Sequence, residues 1–259
     1  MARAQSGTPL TLALLHLAPR PGEIAGNRQA IEDAAARAAA HGARFIVSPE
    51  LAVSGYGFRD IIGTDWIAGE QPARQGWAAA LARRCSAVLA LGMPQAGPDG
   101  RLFNALQLFG PDGVRLGQHR KINVLKVGSE SWSAPGEAAT AIALEGIGRI
   151  GLFVCADMYS QRLVRETADL DVDLLVSSAA WAPGLHGPNG EWEWASQATG
   201  RPVLVCNRCG VDVLDFGAAR SVAAVGGSIA HAHASEAPAI ILVDWQREAR
   251  ALGNWRVIA

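Results

Sequence analysis

The apolar positions of this chain alternate between short unbroken runs and longer stretches in which they recur every three or four residues. Leu10 to Leu17 is a run of the first kind and predicts a strand. Asn27 to His41 is of the second kind: Ile31, Ala34, Ala35 and Ala38 share one helical face, and Gly42 provides a stop. Ala43 to Ser48 predicts a strand, Gln71 to Cys85 a helix with Trp77 and Leu81 on one face, and Val88 to Met93 a strand bounded by Pro94. Phe103 to Phe109 and Val114 to Gln118 flank Pro111-Asp112-Gly113, which is hairpin-turn chemistry. Strands follow at Ala141 to Leu144, Ile150 to Val154, Leu174 to Ser178 and Val203 to Cys206. Helices are expected at Ser160 to Ala168 and at Glu191 to Thr199, the second closed by Gly200, and a further hairpin from Val222 to Val243. The early part reads β-α-β-α-β and the middle adds hairpins. The pattern suggests an α/β protein with helices outside a pair of mixed sheets, in one domain over residues 1–259.

Composition narrows the function classes. Hydrophobic residues make up 49% of the chain and charged residues 18%, which places it among globular proteins. The net charge is −1 and no basic stripe is present, so neither nucleic acid nor a membrane surface is an expected partner. The apolar runs are strand-sized, short of the ~20 residues a membrane helix needs. Met1 to Gly7 leads directly into the first strand, which argues against a secretory signal. The cysteines are Cys85, Cys155, Cys206 and Cys209; a cytoplasmic enzyme with reduced thiols fits them better than a disulfide scaffold.

Three strand exits carry candidate chemistry. The run Arg149 to Val154 ends abruptly in Cys155, with Asp157 close behind; Ala43 to Ser48 delivers Pro49-Glu50; and Val114 to Gln118 delivers His119-Arg120-Lys121. Open α/β sheets place ligands at such strand ends. A cysteine in a strand usually behaves as a small hydrophobe, and a free thiol needs a base or a positive neighbour to attack at neutral pH. A glutamate after a strand is most often a solvated loop acid, but Glu50 has apolar neighbours on both sides, which suits a general base. Lys121 alone reads as a surface lysine. Together, a thiol, a carboxylate and an ammonium are the parts of a covalent acyl-transfer site.

Other motifs carry less. His231 and His233 share a strand face without companion ligands, so no metal site is expected there. Cys206-Asn207-Arg208-Cys209 is a lone C-x-x-C, weak evidence for zinc or redox chemistry. Gly226-Gly227-Ser228 reads as a tight turn rather than a phosphate cradle.

Taken in order, Pro49-Glu50-Leu51 with Gly55-Tyr56, His119-Arg120-Lys121, and Gly151 to Asp157 resemble the nitrilase superfamily of carbon–nitrogen hydrolases. Pro135-Gly136, Ser178-Ala179-Ala180-Trp181, Asn207-Arg208-Cys209-Gly210 and Gly226-Gly227-Ser228 follow in the expected order, so the resemblance spans nearly the whole chain. It implies an α-β-β-α sandwich of two mixed sheets flanked by helices, and a homodimer or higher homo-oligomer. It also implies a catalytic set of Cys155 as nucleophile, Glu50 as base and Lys121, with no metal or organic cofactor. Its second glutamate maps onto Glu130, before Pro135-Gly136, in preference to Glu137. Ala156 would lend its backbone N–H to an oxyanion.

The same resemblance implies cleavage of a small-molecule amide or ureido substrate. Nitrilases place Trp-Glu after the cysteine, whereas this chain has Ala156-Asp157, which looks like the amidase branches. A nitrilase, an N-acyltransferase, an ammonia-feeding glutaminase subunit and a catalytically idle binding member are the alternatives; the presence of Cys155, Glu50 and Lys121 argues against the last. The chain departs from the family pattern at Ser160-Gln161-Arg162 and at Ala195 to Arg201, which bears on the pocket and the pairing surface. Tyr56, Phe58, Trp132 and Trp181 are near the motifs, and Tyr56, Trp132 and Trp181 are expected at the substrate; Trp192 and Trp194 are expected in the core or at a subunit contact.

Overall fold

The computed structural model describes residues 9–125, 128–184 and 186–258, so the reading of Met1 to Gly7 lies outside the described residues. The first half runs β1 (Leu10–His16), α1 (Ile24–Ala40), β2 (Ala43–Val47), α2 (Arg59–Ile62), α3 (Trp66–Gly69), α4 (Gln71–Cys85), β3 (Val88–Ala96), β4 (Leu102–Phe109) and β5 (Arg115–Arg120). The second runs β6 (Thr140–Leu144), β7 (Gly148–Val154), α5 (Gln161–Ala168), β8 (Leu174–Ser178), α6 (Glu191–Thr199), β9 (Val203–Cys206), β10 (Ser221–Val225) and β11 (Ser228–His233). Then β12 (Ala239–Gln246) and β13 (Ala251–Ile258) return to the first sheet. One sheet has the order β13-β12-β1-β2-β3-β4-β5 and the other β11-β10-β9-β8-β7-β6. The trios β1-β2-β3 and β7-β8-β9 are parallel, and the flanking pairings are antiparallel.

The central strands are apolar on both faces because both are covered. From β1 and β2, Leu12, Leu14, Phe45 and Val47 join Ile150, Leu152, Val154, Leu174 and Val176 in the core between the sheets. The alternate residues Ala13, Leu15 and Ile46 pack under Ile31, Ala35, Trp77 and Leu81 of α1 and α4. Helices α5 and α6 cover the other sheet, completing the α-β-β-α sandwich. Ser160 caps α5, its Oγ accepting from the Leu163 N–H at 3.2 Å.

Several elements differ from the sequence expectation. The segment from Val222 to Val243 is not one hairpin: β10 and β11 pair around Gly226-Gly227, while β12 crosses to the other sheet beside β1. The exposure patterns explain it, since β11 alternates between exposed and half-buried positions, as an edge strand does, whereas Ala239 to Val243 is buried throughout. Pro94 lies within β3 rather than ending it. Strand β2 pairs with β3 only from Val88 to Ala90, so at Pro94 the missing N–H costs no bond on that side. Strand β13 and the short helices α2 and α3 were not expected.

Candidate active site

Three strand ends from two sheets converge at one end of the sandwich. Glu50 leaves β2 through Ser48-Pro49, and the next residue, Leu51, has φ 49°, in the left-handed region. Gly92 of β3 lies directly against this turn: a Cβ there would stand 2.3 Å from the Pro49 carbonyl oxygen and 2.8 Å from the Leu51 nitrogen. Lys121 leaves β5, its N–H donating to the Asn104 carbonyl (2.8 Å) and its carbonyl accepting from the Gly136 N–H (2.7 Å). Cys155 ends β7 with φ 47°, a left-handed conformation uncommon for a side-chain-bearing residue, and turns the chain into a 3-10 helix over Cys155–Tyr159.

The structure brings together the four residues expected to be catalytic. Lys121 Nζ is 2.7 Å from Glu50 Oε1 and 2.8 Å from Glu130 Oε2. Asn104 Nδ2 donates to Glu50 Oε1 and to Glu130 Oε1, each at 2.7 Å. The backbone of Ala180 joins the Glu50 carboxylate to the thiol: its N–H donates to Glu50 Oε2 (2.9 Å), and its carbonyl lies 3.7 Å from Cys155 Sγ. Glu50, Lys121, Glu130 and Asn104 are all at most 1% exposed, so their charges act without screening by bulk water.

The electrostatics follow from that burial. Desolvation alone would discharge Lys121, but Glu50 and Glu130 hold its ammonium well above the ordinary lysine pKa. Burial raises the Glu130 carboxyl, with Lys121 opposing and Glu50 reinforcing the rise. Burial, then the Glu50 charge, pushes the Cys155 thiol well above its usual value against the pull of Lys121. The Tyr56 phenol is driven up by burial and by the same Glu50 charge.

A second network orients the turn that holds Cys155. Asp157 accepts from the Val154 N–H and from His119 Nε2 with one oxygen (both 2.9 Å), and from the Ile122 and Asn123 N–H groups with the other (2.9 and 2.8 Å). Asn123 Nδ2 donates to the Ala156 carbonyl at 2.7 Å. The chain after Lys121 is thus fastened to the turn holding Cys155. Burial raises the Asp157 pKa, but the bonds from His119, Asn123 and Val154 outweigh it and leave the carboxyl below its ordinary value. On the far side, the Asn207 side chain brackets Trp181, accepting from its N–H and donating to its carbonyl, both at 3.0 Å.

Sequence reasoning missed the roles of Asn104, Asp157, His119 and Asn207. Asn104 was visible only as a polar residue inside the apolar run of β4. His119 stands in the sequence only as a neighbour of Lys121, whereas its ring meets Asp157 and Thr140.

Of the residues expected at the substrate, Tyr56 lies close enough for its phenol to feel Glu50, Lys121 and Cys155. Ala156 is buried beside Cys155. Trp132 packs edge-on against Phe58, ring centres 5.1 Å apart, in a cluster with Leu51, Tyr56 and Ala180. Trp181 lies between Tyr159 (4.7 Å) and Trp192 (5.6 Å). Trp192 is buried in the core, and Trp194 is half-buried beneath Arg165. Cys206 and Cys209 are buried free thiols pointing at main-chain carbonyls. Among the described residues, no group of three or more His, Cys, Asp or Glu is arranged to hold a metal ion, and no helix is long and apolar enough to cross a membrane.

Two mixed sheets between helical layers, with a glutamate and a cysteine at the ends of facing parallel trios, define a protein of the nitrilase superfamily. The chain belongs to its carbon-nitrogen hydrolase family, whose model matches residues 11–252, and it is a hydrolase of carbon–nitrogen bonds. It is 28% identical to the "Hydrolase in pqqF 5'region" of Pseudomonas protegens, over 95% of this chain and 87% of that protein. It is 29% identical to Omega-amidase NIT2 of Pongo abelii, over 64% of this chain and 60% of that protein. Among solved structures, the amidase from Nesterenkonia sp. AN1 superposes with a TM-score of 0.81 at 24% identity, covering 91% of this chain and 92% of that one. A mutant of that amidase carries acrylamide, by Michael addition, at its active-site cysteine.

Proposed function

We propose that this protein hydrolyses a small, non-peptide amide or ureido compound through a thioester on Cys155. Glu50 takes the thiol proton as sulfur attacks the carbonyl carbon. Lys121 and the Ala156 N–H stabilise the oxygen as it becomes negative; loss of one such donor typically costs ~10²–10³ in rate. The C–N bond then breaks, and Glu50 returns the proton to the departing amine or ammonia. Glu50 next takes a proton from water, which attacks the thioester, and the acid leaves as Cys155 regains its hydrogen. Glu130 orients Lys121. Tyr56, Trp132 and Trp181 form the substrate wall.

The observation that carries this reading is the backbone of one residue, Ala180, which meets Glu50 through its N–H and Cys155 through its carbonyl, while Lys121 bridges Glu50 and Glu130. The Ala156-Asp157 pair after the nucleophile favours an amide over a nitrile, and the amidase names of the relatives agree. The proposal includes a homodimer or higher homo-oligomer working in the cytoplasm without a cofactor.

An ammonia-release screen over small amides, carbamoyl compounds and nitriles tests it. The wild type is expected to release ammonia from a member of the first two groups, and intact mass to show an acyl adduct. Cys155→Ala should abolish turnover with an unchanged unfolding curve. Activity retained in that variant overturns the mechanism.

A further inference from the structure

Two carboxylates share one ammonium in this site, and all three are buried. Like charges held this close resist being ionised together. Lys121 Nζ touches Oε1 of both glutamates, each at 2.7 Å. Asn104 Nδ2 touches the same two oxygens, again each at 2.7 Å. Donors and acceptors therefore alternate around a closed square. The opposite orientation of the amide would aim its oxygen at two carboxylates, so partner chemistry fixes which end faces the pair. Asn104 Oδ1 is left buried without a partner. Both donor hydrogens are committed to the glutamates while the acceptor goes unused. We propose that Asn104 is a positioning residue that keeps Glu50 and Glu130 ionised side by side by giving one amide hydrogen to each.

The backbone of Asn104 has separate work. Its carbonyl accepts from the Lys121 N–H, and its N–H donates to Ser133 Oγ at 2.9 Å. Those bonds survive a change of side chain, so side-chain and scaffold roles can be separated. The other ionisable groups facing the pair are the Cys155 thiol and the Tyr56 phenol, both held protonated by burial, and Arg208, engaged with Asp212 behind Glu50. None of them supplies a second hydrogen bond to both glutamates. Without Asn104 the Glu130 carboxyl, already raised by burial, takes up its proton at higher pH, and the hydrogen-bonded square that presents Glu50 to the thiol proton is broken. The inference rests on the reading of Cys155 as nucleophile and Glu50 as base.

The test follows alkylation of Cys155 by iodoacetamide from mildly acidic to mildly alkaline pH, read by intact mass, with Cys155→Ala as the background for the other cysteines. It needs no substrate, so failure of the amide reading shows separately, as an absence of ammonia release by the wild type. Asn104→Leu is expected to move the acid limb of the alkylation rate up by about one to two pH units, the worth of one hydrogen bond to a charged group. Combined with Glu130→Gln, which removes the like charge, the same substitution should move the limb little. Should the leucine variant fail to fold, Asn104→Asp serves; it adds a third acceptor to the square and should move the limb further in the same direction. An acid limb identical to that of the wild type overturns the proposal. So does a shift of equal size with and without Glu130→Gln, which marks a structural role only.

Discussion

Burial at the end of β7, and then the neighbouring Glu50 charge, hold the Cys155 thiol well above its ordinary pKa. Sulfur therefore keeps its proton at neutral pH, and in the proposed mechanism its reactivity depends on transfer to Glu50. The neutral resting state also avoids placing a third negative charge beside Glu50 and Glu130. A comparable balance governs His16, at the end of β1. Its ring is buried against Ser221 (2.9 Å) and lies 5.2 Å from the ring of His233. Burial, then His233, lowers its pKa from 6.5 to about 4. Between those values the unfolded chain binds a proton that the folded chain refuses. Stability should thus fall as pH drops from 6.5 to about 4 and lose no more to this group below that. The whole effect amounts to roughly 3 kcal/mol at most. Urea midpoints measured across this range should show the slope in the wild type and a flatter one in His16→Asn; identical slopes would contradict it. Residues of this kind differ in how far the sequence reveals them. Glu50, Lys121 and Cys155 stood out because each follows an apolar run. Glu130 was reachable only through the family resemblance, since nothing in Gly128-Ser129-Glu130 marks burial. Asn104 and His16 were hidden because a lone polar residue in a strand gives no sign of its partner across the sheet.

Among the elements, the strands and long helices were legible because each is buried on faces that impose a period. The helices α2 and α3 are only four residues each, too short for a period to be read. The β12 crossover was missed because a buried central strand and one arm of a hairpin share the same apolar composition; only the destination differs. The turn after β2 is where element geometry most directly sets the chemistry. Gly92 on β3 leaves room for the Pro49 carbonyl, and its N–H donates to Ser48 Oγ at 3.0 Å. Gly92→Ala would force the Glu50 turn away from β3. The expected result is a loss of about 1–3 kcal/mol in stability, as for other overpacked sites. A fall in kcat on the order of 10² should accompany it, because the base is displaced. Thermal melts and steady-state rates on the same preparation check it, and an unchanged kcat would show that Glu50 tolerates the movement.

Across the whole molecule, each half of the chain builds a parallel trio crossed over by helices and then turned back through antiparallel strands. The two sheets meet face to face with their trio C-termini at the same end, so one site draws Glu50 and Lys121 from one sheet and Cys155 from the other. At the opposite end the sheets are tied by Trp245 of β12, whose Nε1 donates to the Ile147 carbonyl at 2.8 Å. Trp245→Phe removes that donor and should lower unfolding free energy by about 1–3 kcal/mol, the cost of an unsatisfied buried carbonyl. Its kcat should not change, because the site is at the other end of the strands; a drop in kcat matching the loss of stability would contradict that separation.

The shared backbone contacts of Ala180 have a consequence for the order in which the chain is made. During synthesis Cys155 leaves the ribosome ahead of Ala180, and until β8 docks beside β7 the residue that contacts both Cys155 and Glu50 is not in place. The thiol of a nascent chain lacks that partner, and the contact forms only when the second sheet closes over the first.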